Sequence, residues 1–308
     1  MKGYLGLDTS MYTTSAAVVD AEGNVLADAR LGLQVEDGQR GLRQSEALFQ
    51  HLKNIPGVLE RALACGAEIA AVCVSNAPRP REQSYMPVFL PGVQSARVFA
   101  MAKQTPLFYT SHQEGHLMAA LSPGFARDFL AVHVSGGTTE LLRIAAHGCG
   151  WSVELLGATQ DLHAGQLIDR IGVALGLPFP SGPALYELSK QATGKIRPPV
   201  FVRGLDCGFS GCETALLRLI GAAAPEEIAY AAQWCVAQTL EALLKAGMEK
   251  TGLYDVLLFG GVAENLFLRE YLSSRVGGVC FAPGGMSKDN AVGVARLGAA
   301  QHLEGRNI

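Results

Sequence analysis

The sequence has no excess of positive charge: 25 lysines and arginines stand against 28 acids, a formal net charge of -3. That excludes a broad positive field, so a nucleic-acid partner would need a local basic patch. Long apolar runs are missing as well. Ile69 to Val74 and Val256 to Phe259 are strand-sized, far below the ~20 residues that cross a bilayer, so no membrane partner is expected. Met1-Lys2-Gly3 runs straight into the strand-like Tyr4-Leu5-Gly6-Leu7, without the basic, apolar and cleavage regions of a signal peptide, and a cytoplasmic location is expected. Cysteine is present but never spaced C-x-x-C. Cys65, Cys73, Cys149, Cys207, Cys212, Cys235 and Cys280 are odd in number and scattered, which argues against a disulfide framework or a cysteine zinc site and leaves them mostly as small core residues.

What is abundant is glycine, 36 residues, paired beside apolar strands at Gly136-Gly137, Gly260-Gly261 and Gly284-Gly285. Such pairs mark loops whose backbone approaches a ligand or another strand closely. Residues 4 to 31 read as strand, turn, strand, turn, strand, and residues 130 to 157 repeat the plan about 125 residues later. Alternating helices and short strands follow each unit, the pattern of α/β sheets covered by helices. Helices are expected at about 43 to 64, 92 to 103, 111 to 122, 163 to 175, 211 to 221, 226 to 250, 263 to 274 and 288 to 302. The proline-rich stretch from Asn76 to Gly92 is expected as a long loop. Three segments result: a first domain over 1–108, a metal-binding helix and linker over 109–127, and a second domain over 128–308.

The sharpest local signal is His112-Gln113-Glu114-Gly115-His116. Spacing of i and i+4 puts both imidazoles on one helix face, where they can bind one metal; they can equally be two helix histidines without one. A zincin protease needs a glutamate directly after the first histidine, and Gln113 stands there, so peptidase chemistry is not supported. Glu114 reads better as the N3 partner of a Ser111 capping box. The candidate third ligand is Asp289, which by itself also reads as a helix cap. Two imidazoles and a carboxylate suit zinc or iron. Val134-Ser135-Gly136-Gly137-Thr138-Thr139 is a turn whose backbone N–H groups can face phosphate, and Gly260-Gly261 ends a strand and opens a helix in similar fashion.

In order along the chain, Gly6-Leu7-Asp8-Thr9-Ser10, His112 to His116, Val134 to Gly137, Asp161 to Arg170, Pro180-Ser181-Gly182-Pro183, Phe209-Ser210-Gly211, Gly260 to Asn265 and Asp289-Asn290-Ala291 resemble the TsaD family, formerly called glycoproteases. The resemblance implies a duplicated actin/Hsp70-like (ASKHA) ATPase fold. It also implies transfer of a threonylcarbamoyl group from threonylcarbamoyl-adenylate to the N6 amine of an adenosine beside the tRNA anticodon. Carried over by motif, His112, His116 and Asp289 would hold one divalent metal, iron or zinc. His133, Val134, Ser135, Gly136 and Gly137 would line the phosphates of ATP or the adenylate. Asp169 would bond the ribose, Gly182 would admit the nucleotide and Asn265 would contact the adenosine; Asp169 otherwise reads as a solvated helix acid, Asn265 as a helix cap. Partner proteins of the threonylcarbamoylation complex are implied, including a TsaB-like paralogue.

The chain departs from the family pattern at several points. Tyr12 stands where an aspartate is usual; the catalytic group is left unknown, with Asp8 and Tyr12 as candidates, and a phenol with a pKa near ~10 is a poor base at neutral pH. Ala77-Pro78-Arg79 replaces G-P-G, Thr138 and Gln166 replace a histidine and a glutamate, and Glu213 replaces a lysine. Two alternatives therefore stand beside the transferase: a paralogue acting as carbamoyl transferase or ATPase on a non-tRNA substrate, and a non-catalytic partner of the tRNA-modifying complex. Arg40, Arg43, Arg79, Arg81 and Arg97 are candidates for a basic patch facing tRNA or for a solvated face.

Overall fold

The computed structural model describes residues 1–10, 12–34, 42–80, 84–121, 125–147, 150–286 and 290–305. The chain divides into two compact units: Met1–Ser122 with Ala146–Ser152 and Lys288–Ile308, and Pro123–Ala145 with Val153–Ser287.

The first unit is built on β1 (Lys2–Thr9), β2 (Thr13–Val19), β3 (Val25–Gly32), β4 (Glu68–Ala77) and β5 (Leu107–Ser111), in the order β3-β2-β1-β4-β5. β1 and β2 form the expected hairpin, and β1, β4 and β5 run parallel. The centre of this sheet is covered on both faces, so β1 and β4 read as near-continuous apolar runs rather than alternating ones. Its helices are α1 (Gln44–Leu63), α2 (Leu90–Lys103), α3 (His112–Ala120) and, from the far end of the chain, α9 (Val292–Glu304). Gly6 explains how α9 reaches the sheet: a Cβ there would lie 2.4 Å from the Ala291 carbonyl and 2.5 Å from the Ala295 nitrogen, so only hydrogen fits between strand and helix. The expected segment boundaries at 108, 127 and 308 differ from this division, because α9 packs on β1, β4 and α3. The loop expected from 76 to 92 is also shorter, since β4 runs to Ala77, a 3-10 turn spans Pro87–Phe89 and α2 starts at Leu90.

The second unit repeats the plan with β6 (Asp128–Val134), β7 (Thr139–His147), β8 (Gly150–Ala158), β11 (Val256–Phe259) and β12 (Val279–Phe281), ordered β12-β11-β6-β7-β8. β6 pairs antiparallel with β7 and parallel with β11, as β1 does with β2 and β4. The helices are α4 (Ala164–Ala174), α5 (Gly182–Ser189), α6 (Ser210–Leu217), α7 (Pro225–Thr251) and α8 (Leu266–Ser273). α7 is the spine of this unit. Pro225 opens it where its missing N–H costs nothing, and Gly252 at φ 70° closes it in the left-handed region. Its buried face carries Val236, Leu240 and Leu244 into a core with Leu130, Val132, Ile168, Phe209 and Leu258. α5 and the short hairpin β9 (Phe201–Arg203) and β10 (Asp206–Gly208) were not expected from the sequence. No helix among the described residues is long and apolar enough to cross a membrane.

Candidate functional site

In the first unit the strands β1, β4 and β5 end side by side, Ser75 standing in register with Thr110. Parallel strands present their following loops at such ends. Asp8, close to the end of β1, is fully buried and takes a short hydrogen bond from the Ser75 hydroxyl. α3 begins directly after β5. The Ser111 hydroxyl accepts from the Glu114 N–H at 3.2 Å, while Glu114 Oε2 accepts from the Ser111 N–H at 2.9 Å, its hydroxyl at 2.7 Å and the Thr110 hydroxyl at 3.1 Å. Oε1 accepts the Trp151 N–H at 3.4 Å. Glu114 is thus the expected capping-box residue, and its carboxylate fixes the entry angle of the helix.

That entry angle sets the two histidines. His112 Nδ1 lies 3.0 and 3.1 Å from the two Asp8 oxygens, and its Nε2 lies 3.0 Å from His116 Nε2. A carboxylate only accepts, so Nδ1 carries the proton and the Nε2 lone pair of His112 is left toward His116. Two imidazoles bound to one metal at ~2.0–2.1 Å and at angles between 90° and tetrahedral have nitrogens about 2.9–3.4 Å apart, which brackets the observed separation. A carboxylate behind a ligating imidazole is the usual outer support of such a site. The donor set and its orientation therefore fit a divalent metal. Among the described residues no three His, Cys, Asp or Glu form a metal-binding group, and Asp289 lies outside them.

Gly115, between the histidines, has its own reason. A Cβ on Gly293 of α9 would lie 1.8 Å from the Gly115 carbonyl oxygen and 2.6 Å from the Ala119 nitrogen. The two helices thus cross backbone to backbone between His112 and His116, at a point four residues after Asp289 in sequence. Arg296 of α9 also caps the end of α3, donating to the Met118 and Ala119 carbonyls at 3.3 and 3.4 Å. Tyr12 is exposed.

In the second unit, His133 and Val134 end β6 and the turn Ser135-Gly136-Gly137-Thr138 follows. The Ser135 N–H donates to the Thr138 carbonyl at 2.8 Å and the Gly137 N–H to the Ser135 hydroxyl at 3.3 Å. A Cβ on Gly136 or Gly137 would meet nothing within 4 Å, so bare backbone borders open space. The start of α4 is tied to this turn: Gly165 N–H donates to the Ser135 carbonyl at 3.2 Å and Ala164 N–H to the Thr139 hydroxyl at 3.0 Å. The His133 ring stacks on Phe259, centroids 4.6 Å apart.

Asp169, farther along α4, accepts the Ser181 N–H at 2.8 Å, immediately before Gly182 opens α5. Burial holds its carboxyl above the usual range, against the pull of that hydrogen bond. Asn265 caps α8, accepting the Leu268 N–H at 3.2 Å and donating to Gln233 at 3.0 Å. Its side-chain oxygen and nitrogen thus each have a protein partner.

Three groupings of polar side chains escaped the sequence reading. Ser75 orients Asp8 and carries only the signal of a small polar residue near the end of a buried strand. Asp161 accepts N–H groups of Leu162 at 2.5 Å, Phe209 at 2.7 Å and Ser210 at 3.3 Å, together with a short bond from the Ser210 hydroxyl. Burial works against its ionisation, but the Ser210 hydroxyl and the three N–H groups outweigh it and hold the carboxyl below the usual range. Glu213, the acid in place of a lysine, pairs with Arg170 at 3.1 Å, so two motif positions 43 residues apart meet.

The family profile described as TsaD, tRNA N6-adenosine threonylcarbamoyltransferase, matches residues 33–295. A protein of that name from Thermus thermophilus is 33% identical over 307 residues, covering 98% of this chain and 93% of its own; one from Anaeromyxobacter is 35% identical over 327 residues, covering 98% and 95%. Among solved structures, the activator of 2-hydroxyisocaproyl-CoA dehydratase from Clostridium difficile aligns over 99% of this chain and 97% of its own at 14% identity and TM-score 0.59. HypF from T. kodakarensis aligns over 98% and 48% at 15% identity and TM-score 0.62. At these identities the likeness concerns the fold, which is the expected duplicated actin/Hsp70-like one. The chain belongs to the TsaD family of tRNA N6-adenosine threonylcarbamoyltransferases.

Proposed function

We propose that this chain transfers the threonylcarbamoyl group of threonylcarbamoyl-adenylate to the N6 amine of the adenosine beside the anticodon of tRNA. The observation that carries the reading is the pair of His112 and His116 Nε2 atoms 3.0 Å apart, with the Asp8 carboxylate behind His112. His112, His116 and Asp289 would hold a divalent cation, iron or zinc. When bound, such an ion supplies Lewis acidity toward phosphate or carbamoyl oxygens. Asp8 keeps the proton of His112 on Nδ1 and Ser75 keeps Asp8 in place. In the second unit the Gly136 N–H would bind a phosphate oxygen at the turn Ser135-Gly136-Gly137, whose Ser135 and Gly137 N–H groups already donate within the turn, with His133 and Val134 behind it. Asp169 accepts a ribose hydroxyl and Gly182 leaves room for the nucleoside. Asn265 holds the start of α8 near Gln233, and its second amide hydrogen and second oxygen lone pair remain for the adenosine.

In the overall reaction the N6 nitrogen bonds to the carbamoyl carbon, the bond to the AMP phosphate oxygen breaks, and the amine gives up a proton. Tyr12 is exposed and Asp8 is committed to His112 and Ser75, so neither is positioned as the base for that proton. The Arg170–Glu213 pair supports the transferase reading, because it gives the acid at 213 a partner within this chain. A TsaB-like partner would find apolar surface on Phe49 and Leu52 of α1 and on Val98 and Met101 of α2, all exposed. A cytoplasmic location suits a tRNA substrate.

The test is transfer of labelled threonylcarbamoyl to tRNA by the purified chain, alone and with its partner proteins, beside elemental analysis of the protein and of a His112→Ala/His116→Ala variant. Transfer and one metal per chain, both lost in the variant, are expected. Metal and nucleotide binding without transfer under any partner combination would move the reading to a non-tRNA substrate.

A further inference from the structure

Outside both candidate sites, the second unit carries a continuous strip of aromatic rings across α7 and α8. Tyr230 and Trp234 stand one turn apart on α7, and Phe267 and Tyr271 one turn apart on α8. Phe267 meets Tyr230 edge to face at 5.2 Å between centroids and stacks on Tyr271 at 6.1 Å. A guanidinium covers each end: Arg197 lies 4.8 Å over Trp234 and 5.8 Å over Tyr230, and Arg275 lies 4.4 Å over Tyr271. The rings are half-buried and both arginines are exposed.

Several surface cations elsewhere in the chain are held by acids. Lys190 is paired with Glu187, Lys245 with Glu241, Arg170 with Glu213 and Arg30 with Asp28. Neither Arg197 nor Arg275 makes an ion pair within the described residues. Glu241, whose charge Arg275 favours, is taken by Lys245 at 2.6 Å. A guanidinium over a ring still offers a fork of N–H groups to a phosphate, although Arg197 spends one N–H on the Ile196 carbonyl at 3.1 Å. Half-exposed rings between two such forks suit an unpaired nucleobase, because every base has a face that stacks.

We infer that the strip from Arg197 through Trp234, Tyr230, Phe267 and Tyr271 to Arg275 is a docking surface for a single-stranded segment of the tRNA substrate. The inference rests on the proposed tRNA substrate. It also meets a need set by composition: with a net charge of -3, RNA affinity has to come from local cations.

The test is tRNA binding by fluorescence anisotropy over a salt series, comparing the wild type with Arg197→Gln/Arg275→Gln and with Arg218→Gln, a surface arginine off the strip. The double variant is expected to bind more weakly and to lose about 1.4–1.8 from the slope of log K against log salt, the share of two phosphate contacts, while Arg218→Gln leaves the slope unchanged. In a Trp151→Phe background, Trp234 is the one remaining tryptophan, and its emission should be quenched by tRNA. No tRNA binding by the wild type would sink the substrate reading and the strip with it. Wild-type binding with an unchanged slope in the double variant would overturn the strip alone, as would polyglutamate displacing tRNA at matched charge.

Discussion

Gly293→Ala tests whether the α3–α9 crossing builds the metal site. The added methyl would meet backbone, the Gly115 oxygen at 1.8 Å and the Ala119 nitrogen at 2.6 Å, so no side chain can turn away to admit it. The helices must separate by about 1.2 Å to bring the closer contact to 3.0 Å, a forced expansion of a packed interface. Overpacking of this kind costs roughly 1–3 kcal/mol, and replacing glycine by alanine inside a helix returns about 1 kcal/mol. A net loss of up to about 2 kcal/mol lowers Tm by up to roughly 8 °C for a unit of this size. Gly115 sits between the two histidines, so the same separation shifts the helix that carries them. Metal affinity should fall by about 10–100-fold, the range seen when support around a site is lost. Calorimetry and chelator competition measure the two effects. Gly298→Ala is the comparison, because its methyl would press on the Cys73 side chain of β4 at 2.6 Å and not on α3. It should lower Tm while keeping wild-type metal affinity. Wild-type metal affinity in Gly293→Ala, whatever its Tm, would refute the claim that this crossing assembles the site.

Asp8→Asn keeps the shape of the side chain but removes the charge behind His112, and should weaken metal binding by about 10–100-fold in the same chelator assay; unchanged affinity would mean that His112 is oriented by something else. His51 is fully buried, 2.8 Å from the Thr14 hydroxyl, and burial holds its pKa below the ordinary 6.5. The folded chain keeps it neutral while the unfolded chain takes up a proton, so the stability it contributes is complete above pH 6.5 and is lost as pH falls below that value, by at most about 1.4 kcal/mol per pH unit. Urea unfolding between pH 5 and 7.5 should show a flatter dependence for His51→Gln than for the wild type, and equal slopes would count against this assignment. Gly57→Ala, within α1 and with no atom within 4 Å of the new methyl, should raise stability by about 0.5–1 kcal/mol, read as a higher urea midpoint.

What the sequence made legible was local or repeated. The Ser111–Glu114 capping box spans three residues and needs no knowledge of the fold, and it is present in the structure as read. The two strand-loop-hairpin units could be seen because each is a contiguous run, and they become two sheets of the same strand order. Features that depend on distant backbone were not legible. The return of α9 to the first unit is decided by the missing Cβ at Gly6 and Gly293, and a glycine in a helix pattern looks the same whether it touches another backbone or water. Glu213 read as a lost lysine until Arg170 appeared beside it. Asn265 carried two readings, cap and ligand; its cap bond to Leu268 is part of the fold, and it uses an N–H three residues on that sequence alone cannot orient.

The duplicated frame also explains how the chemistry is divided. β1 and β6 occupy equivalent places, each paired antiparallel with the strand that follows and parallel with one farther along the chain. The loop after a central strand is the least constrained part of such a sheet, so two copies can diverge there without disturbing the core. In the first copy β1 ends in a buried carboxylate that fixes an imidazole on the helix after β5. In the second, β6 runs into two glycines whose neighbourhood would be open even to a side chain. One copy carries a fixed charge and nitrogen lone pairs, the other an open glycine turn; the proposed metal ion asks for the first and the proposed phosphate for the second. Gly136→Val isolates the second half of that division, since the space around its Cβ lets the chain fold while the branched side chain screens the neighbouring amides. Nucleotide affinity should fall with metal affinity unchanged, measured by calorimetric titration of each, and a parallel loss of both would show that the two copies do not act as separate binding elements.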